Sequence, residues 1–410
     1  MEKKDVIIVG GGPAGLAAAA ALQAQGITDI LILEREKELG GILRQCIHDG
    51  FGLTRFRESL SGPEYAQRFI NLADEKKIPY ITEATVIDLS SDRRVTATTR
   101  QGILEFQAEA VVLTMGCRER TRGAVGIPGK RPAGIWTAGV AQSYINLHNI
   151  MVGREVVILG SGDIGMIMAR RLTLEGSRVK AVFEIQPYPS GLPRNIQQCL
   201  EDYGIPLYLS HTVTDIKGDS RLEGVTVAEV DTNLKAIPGT EKDWACDTLI
   251  LSVGLIPENE LSLAAGVVLD SRTRGPVVDE NYQTSVPGLF AAGNVLQVHD
   301  LVDFVSLEAE KLAAAVARFV GGTALPDCRI ELVGDATVLN TIPQRISGTS
   351  DFTLSLRVAC PFRNCEIRIA QNGKLVKAVK LAKAIPAEMI QIPIKGSSLA
   401  PAGKLEVTVL

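Results

Sequence analysis

Cysteine is sparse and scattered in this chain: seven thiols in 410 residues, an odd number with no dense framework. That excludes a disulfide-stapled secreted scaffold and suits a reducing interior. Long hydrophobic runs are also missing. The longest apolar stretches, such as Leu16 to Leu22, are too short and too alanine-rich to span a bilayer. Nor is there an excess of positive charge: 43 basic against 47 acidic residues leave a formal net charge of −4. The basic footprint of a general nucleic-acid binder is therefore absent. Strand-like residues begin at Asp5, which leaves no room for a signal or transit peptide, so a cytoplasmic location is expected. What is present is an ordinary globular composition, 46% hydrophobic and 22% charged, at a length that predicts two or three domains.

The most informative feature is an internal repeat with a 150-residue shift. Asp5-Val-Ile-Ile-Val-Gly10-Gly-Gly12-Pro13-Ala14-Gly15 is followed by an Ala/Leu-rich helical run closing at Gly26, then by an apolar strand ending in Glu34. The second copy reads Glu155-Val-Val-Ile-Leu-Gly160-Ser-Gly162-Asp163-Ile164-Gly165, a helical run closing at Gly176, and a strand ending in Glu184. In both copies the acid stands 19 residues beyond the last glycine. A lone G-x-G-x-x-G is a weak signal, but each copy here lies between a buried strand and a helix. In that context the first glycine makes the strand-to-helix turn, and the second lets the backbone approach a pyrophosphate. The third brings helix and strand together, the helix N-terminus supplies unpaired N–H groups, and the acid accepts from a ribose diol.

Two such sites predict a transaction between two dinucleotides. The layout resembles that of two-dinucleotide flavoproteins, in which the first motif, at the extreme N-terminus, is usually the flavin site; the resemblance implies FAD there and NAD(H) at the second. A carboxylate at Glu184 repels a 2′-phosphate, and Ile185, Gln186 and Pro187 bring no arginine directly after it, which favours NAD over NADP.

The expected fold class is α/β, with two Rossmann-like domains of the three-layer ββα type, one inserted in the other, plus a small C-terminal antiparallel β-sandwich. Residues 1–125 and 256–325 form the expected FAD domain and 126–255 the NAD(H) domain, with hinges at Gly126 to Gly129 and Gly254 to Pro257. In the first copy strands are expected at Thr85 to Leu89, Arg94 to Thr99, Ile103 to Gln107 and Ala110 to Thr114. Residues 326–410 alternate as strands, with Asn372-Gly373 marking a two-residue hairpin.

Residues 1 to about 322 resemble the two-dinucleotide-fold FAD/NAD(P) oxidoreductases, the class that includes the pyridine nucleotide–disulfide reductases. The resemblance rests on Gly10 to Gly15, Glu34, Thr114-Met-Gly116, Gly160 to Gly165, Ser252-Val-Gly254 and Phe290-Ala-Ala-Gly293-Asn294. It implies FAD contacts at Gly10, Gly12, Pro13, Ala14, Gly15, Glu34, Arg35, Gly41, Arg44, Val86, Thr114, Gly116, Gly293 and Asn294. It implies NAD contacts at Gly160, Gly162, Asp163, Ile164, Gly165, Glu184 and Gly254. Asn294 stands where the family usually carries Asp, which keeps an acceptor and removes a charge. The segments Gly40 to Gly52, Gly116 to Arg120, Pro132 to Gly139 and Val298 to Asp303 look like those of FAD/NAD-binding subunits that accompany a substrate-oxidising flavoprotein. The match is closest to the kind paired with glycerol-3-phosphate dehydrogenase, or with sarcosine- or opine-oxidase-type flavoproteins. That resemblance implies a dehydrogenase subunit, and a small Cys-rich electron-transfer protein, as partners.

The departures matter as much. Disulfide reductases place Cys-x4-Cys soon after the Gly-Gly pair or Cys-x2-Cys in the nicotinamide domain; this chain has only Cys46 in the first region, and Cys199 and Cys246 stand far apart. Direct disulfide reduction is therefore not expected. Cys360 and Cys365 read as incidental thiols rather than a metal or redox pair, since the tail offers only Cys328 besides. Cys46 reads either as a flavin-proximal thiolate or as a small apolar residue packing its loop, and His48 either as a proton gate or as a loop histidine with local bonds. His299 and Asp300 read as a polar loop capping the following helix. The expected chemistry is hydride transfer between nicotinamide and flavin, in an electron-transfer subunit. A free-standing NADH oxidase or ferredoxin/rubredoxin reductase, and a non-catalytic flavin scaffold, are the alternatives.

Overall fold

Val6-Ile7-Ile8-Val9 is a run of four buried residues, the pattern of a strand covered on both faces. In the computed structural model, which describes residues 1–410, alternate members of that run feed two separate cores. Val6 and Ile8 pack with the helices, whereas Ile7 and Val9 pack with the β-meander residues Val95, Ala97 and Phe106. The strand Glu2–Val9 lies between Ile30–Leu33 and Gly102–Leu113, parallel to both. Leu289–Ala291 adds to Gly102–Leu113 in parallel. Tyr80–Ile81 adds to Ile30–Leu33 in parallel, and Arg94–Thr99 and Thr85–Leu89 complete the sheet of seven as antiparallel strands. The helices Pro13–Ala24 and Val302–Val320 cover one face, and Ala17 to Ala20 bring their axes close.

By contact the chain divides into two units: Met1–Cys117 with Pro257–Leu410, and Arg118–Ile256. The second unit repeats the first with a parallel sheet of Leu207–Leu209, Arg178–Glu184, Glu155–Leu159, Thr248–Leu251 and Ile135–Thr137, in that order. Its meander, His211–Lys217, Gly224–Glu229 and Lys242–Ala245, is a separate antiparallel sheet. The architecture is the expected α/β class.

Three local expectations differ from the structure. The strands expected at 103–107 and 110–114 are one, Gly102–Leu113. Its first half pairs with the meander while most of its length also pairs with Glu2–Val9, so the polar stretch Gln107 to Glu109 is not a break. The division between units falls at Cys117, ahead of Gly126, because Glu119 accepts from Gly139 N and Arg122 donates to Ile127 O and Pro128 O, which tie residues 119–122 to the second unit. Asp300 does not cap the following helix: Leu301 holds that position without a side-chain bond, and Asp300 is engaged by the tail.

The tail is a sandwich of a five-stranded and a three-stranded sheet around Ile330, Leu354, Leu356, Ile367, Leu405 and Val407. One pair in it, Ile330–Gly334 with Gly403–Val409, is parallel; the remaining pairs are antiparallel. Asn372 and Gly373 take φ of 51° and 77°, the left-handed pair of a two-residue hairpin turn. The sandwich belongs to the first unit. Arg272 donates to Val338 O and Gly334 O, Ser347 Oγ to Glu280, and Arg357 reaches Val298 O and Asp300. No helix is long and apolar enough to cross a membrane.

Candidate functional site

The first glycine turn is shaped partly by the protein and partly by something outside it. Gly10 has φ +109°, and a Cβ there would lie 2.6 Å from Thr114 O; one on Gly15 would lie 1.9 Å from Gly10 O. Close packing of strand against helix explains both. At Gly12 the nearest heavy atom to a Cβ is Gly41 Cα at 3.9 Å. The fold does not need glycine there, whereas a group seated on the helix N-terminus does. Pro13 opens that helix and no side chain caps it; Ala14 packs beneath the turn, its Cβ 3.0 Å from the Cβ position of Gly293.

Glu34 is buried at the end of its strand, where its Oε2 accepts from Gly11 N at 2.6 Å and Oε1 from Glu36 N at 2.8 Å. Arg35 is exposed beside Glu36, and Arg44 pairs with Glu38 at 2.5 Å. Gly40 donates to Gly11 O, which brings Gly41 over Gly12. Thr114 Oγ1 lies 2.9 Å from Val9 O and 3.0 Å from Gly10 O, tying the two strand ends together. Gly116 has φ +73° and its carbonyl accepts from Glu258 N. Val86 is half-buried in the meander, opposite Ala97.

Gly293 and Asn294 form a second wall. Gly293 N donates to Glu308 Oε1 at 2.8 Å, and Gln297 Nε2 to Glu308 Oε2 at 3.1 Å. His299 places its two ring nitrogens 3.4 Å from Asn294 Oδ1 and 3.4 Å from Glu308 Oε2. Asn294 Oδ1 also accepts from His299 N, and its amide lies 3.5 Å from Cys117 Sγ. Asp303, in the first turn of Val302–Val320, accepts from the backbone N–H of Gly52, Thr54 and Arg55. A buried carboxylate thus fixes the loop that carries Cys46 and His48.

Those two residues are held by packing. Cys46 donates to Ile42 O at 3.4 Å, its carbonyl accepts from Gly62 N, and burial pushes its thiol up to about 12. A protonated thiol is a poor nucleophile, which favours the packing role. The His48 ring lies 4.9 Å from that of Phe51. Cys360 is exposed and Cys365 buried in the sandwich, both as free thiols. Nowhere do three or more His, Cys, Asp or Glu side chains gather as a metal site.

The second turn reproduces the first. Gly160 has φ +99°, with Ser252 O 2.0 Å from its Cβ position, and Gly165 N donates to Ser252 Oγ at 3.1 Å. Gly162 faces Ser252 Oγ at 3.3 Å, and Ile164 is half-buried on the helix. Glu184 is buried and accepts from Ser161 N, Ser161 Oγ and Ser190 Oγ at Oε2, and from Gln186 N at Oε1. Asp163 Oδ1 accepts from Leu192 N and Asn195 Nδ2. Gly254 has φ +103°, and its carbonyl accepts from Arg120 N.

The structure brings the glycines and the buried acids of each motif together in two cradles, one in each unit, whereas Arg35 is exposed, Val86 lies on the meander, and Cys46 and His48 sit on the neighbouring loop. Sequence reasoning missed Glu308, Arg357, Ser161 and Ser190, and it marked the segment ending at Asp303 without its bonds to the loop at Gly52 to Arg55. Only the serines had a readable signal, since both lie inside the repeat. Each cradle fits an adenine dinucleotide: a glycine turn open over a helix N-terminus, beside a buried carboxylate.

Comparison with known proteins points the same way. A family model described as pyridine nucleotide-disulphide oxidoreductase matches residues 4–317. The glutamate synthase (NADPH) small chain of Mycobacterium tuberculosis is 26% identical over 353 residues, covering 78% of this chain and 68% of its own. An opine oxidase subunit of Agrobacterium tumefaciens is 25% identical over 363 residues, covering 83% and 69%. Among solved structures, T. acidophilum thioredoxin reductase aligns at TM-score 0.63 and 25% identity, over 77% of this chain and 98% of its own.

Proposed function

Since the chain belongs to the pyridine nucleotide-disulphide oxidoreductase family, flavin-dependent enzymes that use FAD and NAD(P)H, we propose that it moves hydride between NAD(H) and FAD as the electron-transfer subunit of a multi-component dehydrogenase. The observation that carries this reading is the pair of buried carboxylates, Glu34 and Glu184, each bonded to the backbone of its own glycine turn. The first cradle takes FAD and the second NAD(H). Bound flavin supplies the two-electron chemistry. The chain's own residues do the rest. Gly12 and the uncapped helix start at Pro13 receive the pyrophosphate, Glu34 and Glu184 orient the riboses, and Gly293 and Asn294 close the wall that Glu308 braces.

Three observations support a protein that passes electrons on to a partner rather than a disulfide reductase or oxidase. No second cysteine lies near Cys46 in sequence, and its thiol is held protonated. The glutamate synthase and opine oxidase relatives are both named as components of larger enzymes. The sandwich 326–410 extends beyond the family model's limit at 317 and offers a surface for another chain. Within that class, a dehydrogenase of a small polyol phosphate such as glycerol 3-phosphate is the donor that the segments Gly40 to Gly52 and Gly116 to Arg120 favour.

The test is anaerobic mixing of the purified protein with NADH while absorbance near ~450 nm is followed, where flavin bleaches on reduction. Bleaching, slow reoxidation in air and acceleration by a co-purifying dehydrogenase subunit are expected. Absence of bleaching with NADH and NADPH makes the protein a scaffold. Fast reoxidation that Cys46→Ser abolishes makes it an oxidase.

A further inference from the structure

The 150-residue repeat continues past the acid into the next loop. Gly40-Gly41 falls on Ser190-Gly191, and Arg44 on Arg194. At the carboxylates the copies share two donors: Gly11 N and Glu36 N on Glu34, and the corresponding Ser161 N and Gln186 N on Glu184. The second copy then adds two hydroxyls. Ser161 Oγ and Ser190 Oγ donate to Glu184 Oε2 at 2.6 and 2.7 Å, and Ser190 N donates to Ser161 Oγ at 2.9 Å. The first copy has glycine at both places, at Gly11 because of the Leu39 side chain and at Gly40 because of the backbone. A Cβ on Gly11 would lie 2.4 Å from Leu39 Cδ2, and Gly40 sits at φ +104°.

A carboxylate offers about four acceptor positions. Glu34 fills two of them from within the protein, so a ribose diol can bind both oxygens without displacing a bond. Glu184 fills four, three on one oxygen, so a diol that takes both oxygens must displace a hydroxyl. Ser161 is fully buried in the turn, whereas Ser190 is exposed on the loop, so Ser190 is the one free to leave. Asp163 keeps that loop close. Its Oδ1 accepts from Leu192 N at 2.8 Å and Asn195 Nδ2 at 2.6 Å, which hold the chain beyond Ser190 against the start of the nucleotide helix.

We propose that Ser190, backed by Ser161, is an exchangeable latch on Glu184, and that it sets how tightly the second cradle binds NAD(H). Its hydroxyl takes the place of a ribose hydroxyl when the nucleotide leaves and yields it when the nucleotide returns. The two cradles then differ in function through two hydroxyls: the first retains its dinucleotide, and the second lets its dinucleotide turn over. The proposal rests on the reading of the second cradle as the NAD(H) site.

The test is calorimetric titration of the oxidised, FAD-loaded full chain with NAD+, which binds without reacting. Ser190→Ala tightens NAD+ roughly fivefold and Ser161→Ala with Ser190→Ala tightens it further, the scale of one net hydrogen bond each. FAD content stays at the wild-type value, and NADP+, which lacks the free 2′-hydroxyl, gains less than twofold. Unchanged or weaker NAD+ binding in a Ser190→Ala protein with normal FAD content overturns the latch, as does equal tightening of NADP+. A wild-type protein that carries FAD but binds no NAD+ overturns the functional reading itself, and the latch with it.

Discussion

Arg357 Nη2 lies 3.0 Å from Asp300 Oδ1, an ion pair whose side chains are only 11% and 7% exposed. The guanidinium also donates to Pro386 O, Ala387 O and Val298 O. One tail side chain therefore grips the segment that runs from Asn294 to the helix at Val302. Removing one member of a buried pair strands the other charge, at a cost of about 3–5 kcal/mol. Arg357→Met is expected to lower the melting temperature by about 5 °C or more and to accelerate FAD loss on dilution. Differential scanning calorimetry and flavin fluorescence check this.

Gly12 and Gly15 separate the needs of the ligand from those of the fold. Gly12→Ala meets no protein atom closer than 3.9 Å, so the protein folds. Its FAD affinity is expected to fall at least tenfold, about 1.4 kcal/mol, seen as a reduced ratio of flavin to protein absorbance. Gly15→Ala drives a methyl to within 1.9 Å of Gly10 O, and loss of soluble protein is the expected outcome.

On the proposed reading of the second cradle as the NAD(H) site, coenzyme choice depends on Glu184. Glu184→Ala combined with Ile185→Arg then removes the carboxylate proposed to face the ribose and adds a cation for a 2′-phosphate. The ratio of kcat/KM for NADH over NADPH is expected to drop at least tenfold, about 1.4 kcal/mol. An unchanged ratio removes Glu184 from the ribose site.

The Cys46 thiol gives a pH signature. With its pKa pushed to about 12 by burial, its thiolate fraction at pH 8 is about 10⁻⁴, rising tenfold per pH unit. Iodoacetamide at pH 8 is expected to label the exposed Cys360 and spare Cys46, with Cys46 labelling appearing only above about pH 10. Peptide mass mapping reads both sites. Cys46→Ser is expected to keep NADH-dependent flavin bleaching within about twofold of the unmodified protein.

Glycines and acids were legible in the sequence because the repeat fixes them at constant spacing and because strand-to-helix turns leave no choice of residue at Gly10 or Gly160. The hairpin at Asn372-Gly373 was legible for the same reason: its backbone requires left-handed residues. What escaped are contacts between segments distant in sequence. Asp303 reaches the N–H groups of a loop some 250 positions earlier, and Asp300 bonds to the tail instead of the adjacent helix. The fused strand escaped because Gln107 to Glu109 look like a polar gap, while their burial follows the strand's twofold alternation. Ser190 was within reach, since it falls on Gly40 under the same shift that revealed the motifs.

The strand Gly102–Leu113 is flanked on one side by residues 2–9 and on the other, at its far end, by residues 289–291. A ribosome delivers those two neighbours nearly three hundred codons apart, with the whole of Arg118–Ile256 emerging between them. The central unit is free to fold while its host sheet still has an open edge, and the first cradle is completed only when Gly293 and the helix after it arrive. Newly made chains thus pass through an interval in which every residue of the second cradle has been made while the first still lacks Gly293 and the helix Val302–Val320.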